Sequence, residues 1–314
     1  MSRTTPTGPP SRESMGQRFV AGVLRRVLRL TLGATFRAGA PVQQQRRRLR
    51  QVTRLTLPPR GTRFSAADCG GVPGEWTSAG SLPPATLTVL YLHGGGYCTG
   101  SPATHRAITG HLAAACGARV FAADYRLAPE HPFPAAVDDA VAAYRGLLAE
   151  GIEPGSVIVA GDSAGGGLSV AMAVRVRDLG LPAPRALVLF SPWVDLTLAE
   201  VGPAPPGEVM LNRPWVRQCA QAYAAGRDLR EPLLSPVGAE LRDLPPTLIQ
   251  VGTDELLLPD SRRLHERLRA AGVPVRLEEF EARWHVFQAH AGLLADADRA
   301  IESVARFVRA PVAA

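Results

Sequence analysis

One stretch limits the fold more than any other: Val157-Ile-Val-Ala-Gly-Asp-Ser-Ala-Gly-Gly-Gly167. A β-branched apolar run stops at Gly161, and a start of small residues suited to a helix follows at once. Between them, Ser163 sits in a Gly-x-Ser-x-Gly frame. A strand that becomes a helix within about two residues puts this serine on a strained, exposed corner. Glycine is wanted at 161 and 165, where a side chain would strike the approaching backbone. The helix N-terminus behind the serine adds partial positive charge where an oxyanion would form. A tight turn that merely contains serine would look the same over five residues. The flanking strand and helix favour a nucleophile.

The surrounding chain alternates strands and helices. Apolar runs at 87–92, 119–124, 156–160, 185–190, 247–251 and 275–280 read as strands. Helical patterns lie between them at 104–116, 135–150, 168–179 and 259–271, with a final helix from Phe287 to Val308. This spacing predicts βαβ units in a mostly parallel sheet, with strands buried on both faces. Residues 55–82 suit a β-meander leading into it. The alternation breaks from Leu196 to about Ser235, where Pro203, Pro205, Pro206 and Pro214 mark loops around a short helix at 215–225. An insertion of this length is typical of a lid over a site.

Charge sets the N-terminus apart. Every basic residue is arginine. Residues 1–63 hold 14 of the 35 arginines and one of the 28 acids (Glu13), which leaves 21 arginines against 27 acids in a mildly acidic remainder. Residues 1 to about 15 read as disordered. Gln17–Ala38 is helical, with Val20, Val23, Leu24, Val27 and Leu28 on one face. A second helix, Pro41–Thr53, carries Arg46-Arg47-Arg48. Such helices can pack on the main domain as part of a lid or lie on an anionic membrane surface through residues 17–50; the first is favoured. No nucleic-acid-binding motif accompanies the charge. No apolar run reaches the roughly 18 residues of a membrane span. Cys69, Cys98, Cys116 and Cys219 are scattered with no Cys-x-x-Cys pair, which suits free thiols in the cytoplasm and argues against a zinc site.

An activated serine needs a base, and the base needs a carboxylate, each at the carboxyl end of a strand and in the order Ser, acid, His. Asp254, three residues past the strand ending at Val251, is the expected acid. Adjacent Glu255 is expected to point elsewhere, and Asp260 to cap the following helix. His285, just after strand 275–280, is the expected base. His105, His111, His131, His265 and His290 fall in helices or a Pro-rich loop. The oxyanion donors are expected to be the N–H groups of Gly95, Gly96 and Ala164, with His93 as a strut for the glycine loop, Gly94 within it, and Asp162 bracing the serine corner. Tyr97, Met210, Trp215 and Tyr223 are candidates for the acyl pocket.

Four motifs stand in order: His93-Gly-Gly-Gly96, Asp124-Tyr-Arg-Leu-Ala-Pro-Glu-His-Pro-Phe-Pro134, Gly161-Asp-Ser-Ala-Gly-Gly166 and Trp284-His-Val-Phe287. Over residues 85–310 the chain resembles the hormone-sensitive-lipase-like α/β-hydrolases (bacterial esterase family IV), in their Gly-Asp-Ser-Ala-Gly branch. The resemblance implies an α/β-hydrolase fold with a mostly parallel eight-stranded sheet flanked by helices. It also implies a helical cap built from residues 1–54 and the insertion at about 196–235, on a catalytic domain of residues 55–314. By the family's motifs the triad falls on Ser163, Asp254 and His285, although this chain has Asp254-Glu255-Leu256 where the family often has Asp-Pro-Leu. The implied activity is hydrolysis of short- to medium-chain carboxylic esters with no metal or organic cofactor. A small-molecule ester is the implied substrate, and a homodimer through the last strand and helix a family habit. A lipase working at lipid surfaces and a non-catalytic binding protein on the same scaffold are the alternatives.

Overall fold

In the computed structural model, which describes residues 14–80 and 87–310, eight strands form one sheet. The strands are β1 (Thr62–Cys69), β2 (Val72–Ala79), β3 (Leu87–Leu92), β4 (Ala118–Ala123), β5 (Val157–Asp162), β6 (Ala186–Phe190), β7 (Thr247–Gly252) and β8 (Val275–Phe280). Their order across the sheet is β1-β2-β4-β3-β5-β6-β7-β8. The β1–β2 hairpin is antiparallel and joins β4 antiparallel; every later pairing is parallel. Strands β5, β6 and β7 are buried along their whole length, as expected of apolar runs covered by helices on both faces. Edge strand β8 alternates between partly buried and exposed positions.

The helices are α1 (Met15–Thr35), α2 (Val42–Val52), α3 (Arg106–Cys116), α4 (Ala135–Ala149), α5 (Ala164–Asp178), α6 (Arg213–Ala224), α7 (Leu258–Ala270) and α8 (Ala295–Arg309). The expected disordered residues 1–13 lie outside the described residues. The predicted single helix from Phe287 to Val308 is in fact two pieces. A short 3₁₀ turn, Phe287–His290, ends where Gly292 adopts a left-handed φ of 85°, and α8 starts afresh three residues later. All four cysteines are buried free thiols. Among the described residues, no helix is long and apolar enough to cross a membrane.

Helix α1 buries Ala21, Leu28 and Leu32, and its C-terminal neighbour Phe36 packs on Trp215 of α6 with ring centroids 4.5 Å apart. Trp215 Nε1 in turn donates to Gln45 of α2 at 2.7 Å. The N-terminal helices and the insertion therefore pack against each other above the carboxyl edge of the sheet, around the space into which Ser163 faces.

Candidate active site

Ser163 stands where β5 hands over to α5, with φ 53° and ψ −121°. This strained conformation is fixed by its surroundings: Ser163 N–H donates to Phe190 O at 2.8 Å, and Ser163 O accepts from Trp193 N–H at 2.9 Å. The turn can be this sharp because residue 165 is glycine. A Cβ there would lie 1.9 Å from the carbonyl oxygen of Leu92.

The acid expected at 254 is not the one that meets the histidine. His285 Nδ1 donates to Glu255 Oε1 at 3.1 Å, both side chains being almost fully buried. The other carboxylate oxygen, Oε2, accepts from Ser191 Oγ at 2.7 Å and from Gly252 N–H at 2.9 Å. Asp254 faces the opposite way. Its N–H donates to Arg283 O at 2.9 Å, and its part-exposed carboxylate pairs with Arg25 of α1 at 3.0 Å. It also packs so tightly on Gly207 of the insertion that a Cβ there would sit 2.1 Å from Oδ2. The physical reason lies in the tight turn, which sends neighbouring side chains to opposite sides. Asp260 also departs from expectation: it does not cap α7 but accepts from Val194 and Asp195 N–H at 2.9 and 3.0 Å. Burial raises its pKa to about 7.

Burial works against a charged His285, but the Glu255 carboxylate outweighs it, helped by Glu208 and Asp162, so the ring's pKa lies above its usual value. With Nδ1–H committed to Glu255, the lone pair rests on Nε2, the form a general base needs.

The glycine loop after β3 is braced from two sides. Asp162 Oδ1 accepts from Gly94 N–H at 2.9 Å and from Tyr91 OH at 2.7 Å. His93 Nδ1 donates to Gly94 O at 2.8 Å while its ring stacks on Tyr125, with centroids 4.3 Å apart. Burial, with repulsion from His105, holds the His93 pKa down to about 3. Among the described residues, the N–H groups of Gly95, Gly96 and Ala164 have no acceptor. Buried donors are seldom left this way in a folded protein, so three in one corner are suited to a developing oxyanion.

Ser163 and His285 open into one cavity of about 820 Å³ of empty space that is partly open to solvent. Leu28, Leu32 and Phe36 from α1, Leu49 from α2, and Met210 and Trp215 from the insertion make its apolar wall. A family profile described as alpha/beta hydrolase fold matches residues 89–289. An acetyl-hydrolase of Streptomyces hygroscopicus is 48% identical over 257 residues, covering 81% of this chain and 84% of its own. An esterase of Acinetobacter venetianus is 35% identical, over 76% and 78% of the two chains. The crystal structure of an esterase from the bacterial hormone-sensitive lipase family superposes with a TM-score of 0.86 at 39% identity, covering 94% and 98% of the two chains. This chain belongs to the bacterial hormone-sensitive-lipase family of α/β-hydrolase esterases.

The esterase places Met210 and Trp215 on the cavity wall but not the other two pocket candidates. Tyr97 and Tyr223 stack face to face, with centroids 3.9 Å apart, in the packed layer beneath. Three residues that face the catalytic groups carry no signal in the sequence. Ser191, at φ 48°, donates to Glu255 and accepts from Val286 N–H at 3.2 Å, tying the acid to the histidine loop. Glu208 accepts from three successive N–H groups, Val209, Met210 and Leu211, and with Oε2 from Leu256 N–H at 2.9 Å. It thus fastens the insertion to the turn that carries Glu255. His105 lines the cavity and approaches Asp162 Oδ1 with Nε2 at 3.4 Å. It sits at the start of α3, which sequence reading assigned to an ordinary helix.

Proposed function

We propose that the esterase hydrolyses short- to medium-chain carboxylic esters through an acyl-enzyme on Ser163. His285 Nε2 takes the proton of Ser163 Oγ as that oxygen attacks the ester carbonyl. Glu255, not Asp254, holds the imidazole and stabilises its cation. The N–H groups of Gly95, Gly96 and Ala164 receive the oxyanion. His285 then protonates the leaving alcohol, and water enters by the same route to release the acid. The observation that carries this reading is the Glu255–His285 hydrogen bond beside Ser163 in one apolar cavity. The preference for modest acyl chains rests on the helices that wall the cavity. It is supported by a relative named an acetyl-hydrolase and by a 37% identical neighbour solved after soaking with p-nitrophenyl butyrate.

The deciding experiment is a p-nitrophenyl ester series from acetate to palmitate on four proteins: wild type, Ser163→Ala, Glu255→Gln and Asp254→Asn. Ser163→Ala is expected to abolish turnover and labelling by phenylmethylsulfonyl fluoride. Glu255→Gln is expected to lower kcat by about 10³–10⁴, and Asp254→Asn to leave it within a few-fold. The reverse ranking of the two acid variants would return the role to Asp254.

A further inference from the structure

Helix α1 is apolar on two sides. Its inner side, Leu28 and Leu32, walls the cavity. Its outer side carries Met15, Phe19, Val23 and Leu30, which are 87%, 74%, 47% and 70% exposed. At about 100° per residue these four fall within roughly a quarter-turn of one another, so they form one strip and not a scatter. A surface helix normally gives this side to polar residues. Just past α2, Leu55 and Leu57 are each 72% exposed, on either side of the cavity-lining Thr56.

The charges around the strip are of one sign. Residues 14–67 contain no acid. The inward arginines are engaged by the main body: Arg25 with Asp254, Arg29 with Pro206 O, and Arg46 with Glu130. The outward ones, Arg18, Arg26, Arg37, Arg47 and Arg54, are exposed and have no acidic partner among the described residues. An apolar strip flanked by unpaired guanidinium groups matches an anionic bilayer, which offers acyl chains to the strip and phosphates to the arginines. A second copy of this chain would match it poorly, since the same basic surface would meet itself across a two-fold axis.

We propose that α1 is an interfacial helix that seats the esterase on anionic membranes, with the cavity behind it open to esters held there. This goes beyond the hydrolysis reading, because adsorption is measured without any turnover.

The test is co-sedimentation of the full chain with large unilamellar vesicles of phosphatidylcholine alone or mixed with phosphatidylglycerol. The protein is expected in the pellet with mixed vesicles and largely in the supernatant with phosphatidylcholine alone or at high salt. Phe19→Ser with Leu30→Ser is expected to weaken vesicle partitioning about tenfold or more. Arg18→Gln with Arg26→Gln should weaken it by about fivefold per charge. Both doubles should keep wild-type hydrolysis of soluble p-nitrophenyl acetate, since none of the four residues lines the cavity. The proposal is overturned if mixed vesicles leave the protein in the supernatant, or if the Phe19/Leu30 double pellets undiminished. A self-association in analytical ultracentrifugation that this double abolishes would overturn it too, by assigning the strip to a second copy.

Discussion

At Glu255 the two carboxylate oxygens are divided, one to His285 and the other to Ser191 and Gly252 N–H. The division holds the side chain in a single orientation while it stabilises the imidazolium. Because His285 must be neutral to act as base and its pKa is raised, kcat/KM is expected to climb with pH through a midpoint above 6.5 and then level off. A pH–rate profile of the free enzyme with its midpoint below 6.5 would contradict this. Asp162 and His105 predict a second, structural pH effect. Burial disfavours the Asp162 carboxylate, but His105, Tyr91 and Gly94 N–H reverse that and lower its pKa. Burial likewise opposes a charged His105, and Asp162 overcomes it and raises that pKa. The lowered acid contributes stability that is lost as pH falls below its unfolded value near 3.8. The raised base contributes stability that is lost as pH rises through its folded value, above 6.5. His105→Gln should therefore cost more melting temperature at pH 5.5 than at pH 9; an equal loss at both would leave the ion pair without a role. Neither Glu255 nor His105 could be singled out from the sequence alone. The strand end located the acid turn to within two residues, but which of two adjacent carboxylates faces inward depends on a loop with no period. His105 lies 57 residues before Asp162, and only the packing of α3 brings them together.

Each catalytic group stands at the carboxyl end of a parallel strand, β5, β7 or β8, and these elements were legible because fully apolar runs between helical patterns have few other readings. The end of the chain was less so. Phe287 to Val308 keeps an apolar rhythm throughout, and the left-handed Gly292 that divides it resembles any glycine tolerated in a helix. The attachment of α1 was not visible either, since an amphipathic pattern shows that a face is buried but not against what. Its Arg25 reaches Asp254, Ala282 O at 2.7 Å and the face of Trp284 at 5.7 Å, beside both catalytic turns. Because the Arg25–Asp254 pair is part-exposed, a double-mutant cycle on it is expected to give a coupling of only about 0.2–1 kcal/mol in urea unfolding. A coupling above about 2 kcal/mol would mean the pair acts as a buried one.

Across the whole molecule the charge is partitioned: a basic N-terminal segment lies over a mildly acidic body, and the cavity lies between them. That cavity is closed by side chains from both N-terminal helices and the insertion, so its depth can be changed without touching the chemistry. Trp215→Ala removes the largest of these side chains and the hydrogen bond to Gln45. It is expected to shift the chain-length optimum toward longer acyl groups while destabilising the fold by about 3–5 kcal/mol; an unchanged optimum would place the acyl chain elsewhere. The double-sided character of α1 bears on how such an enzyme can diverge. Its cavity side and its outer strip interleave along the same 21 residues, so point substitutions can retune either one alone. Length is another matter. One residue inserted near Gly22 would rotate everything before it by about 100° relative to Leu28 and Leu32, turning the strip away from its surface and bringing Arg18 round in its place. In lineages that descend from this chain, α1 should therefore tolerate many changes of residue and very few changes of length.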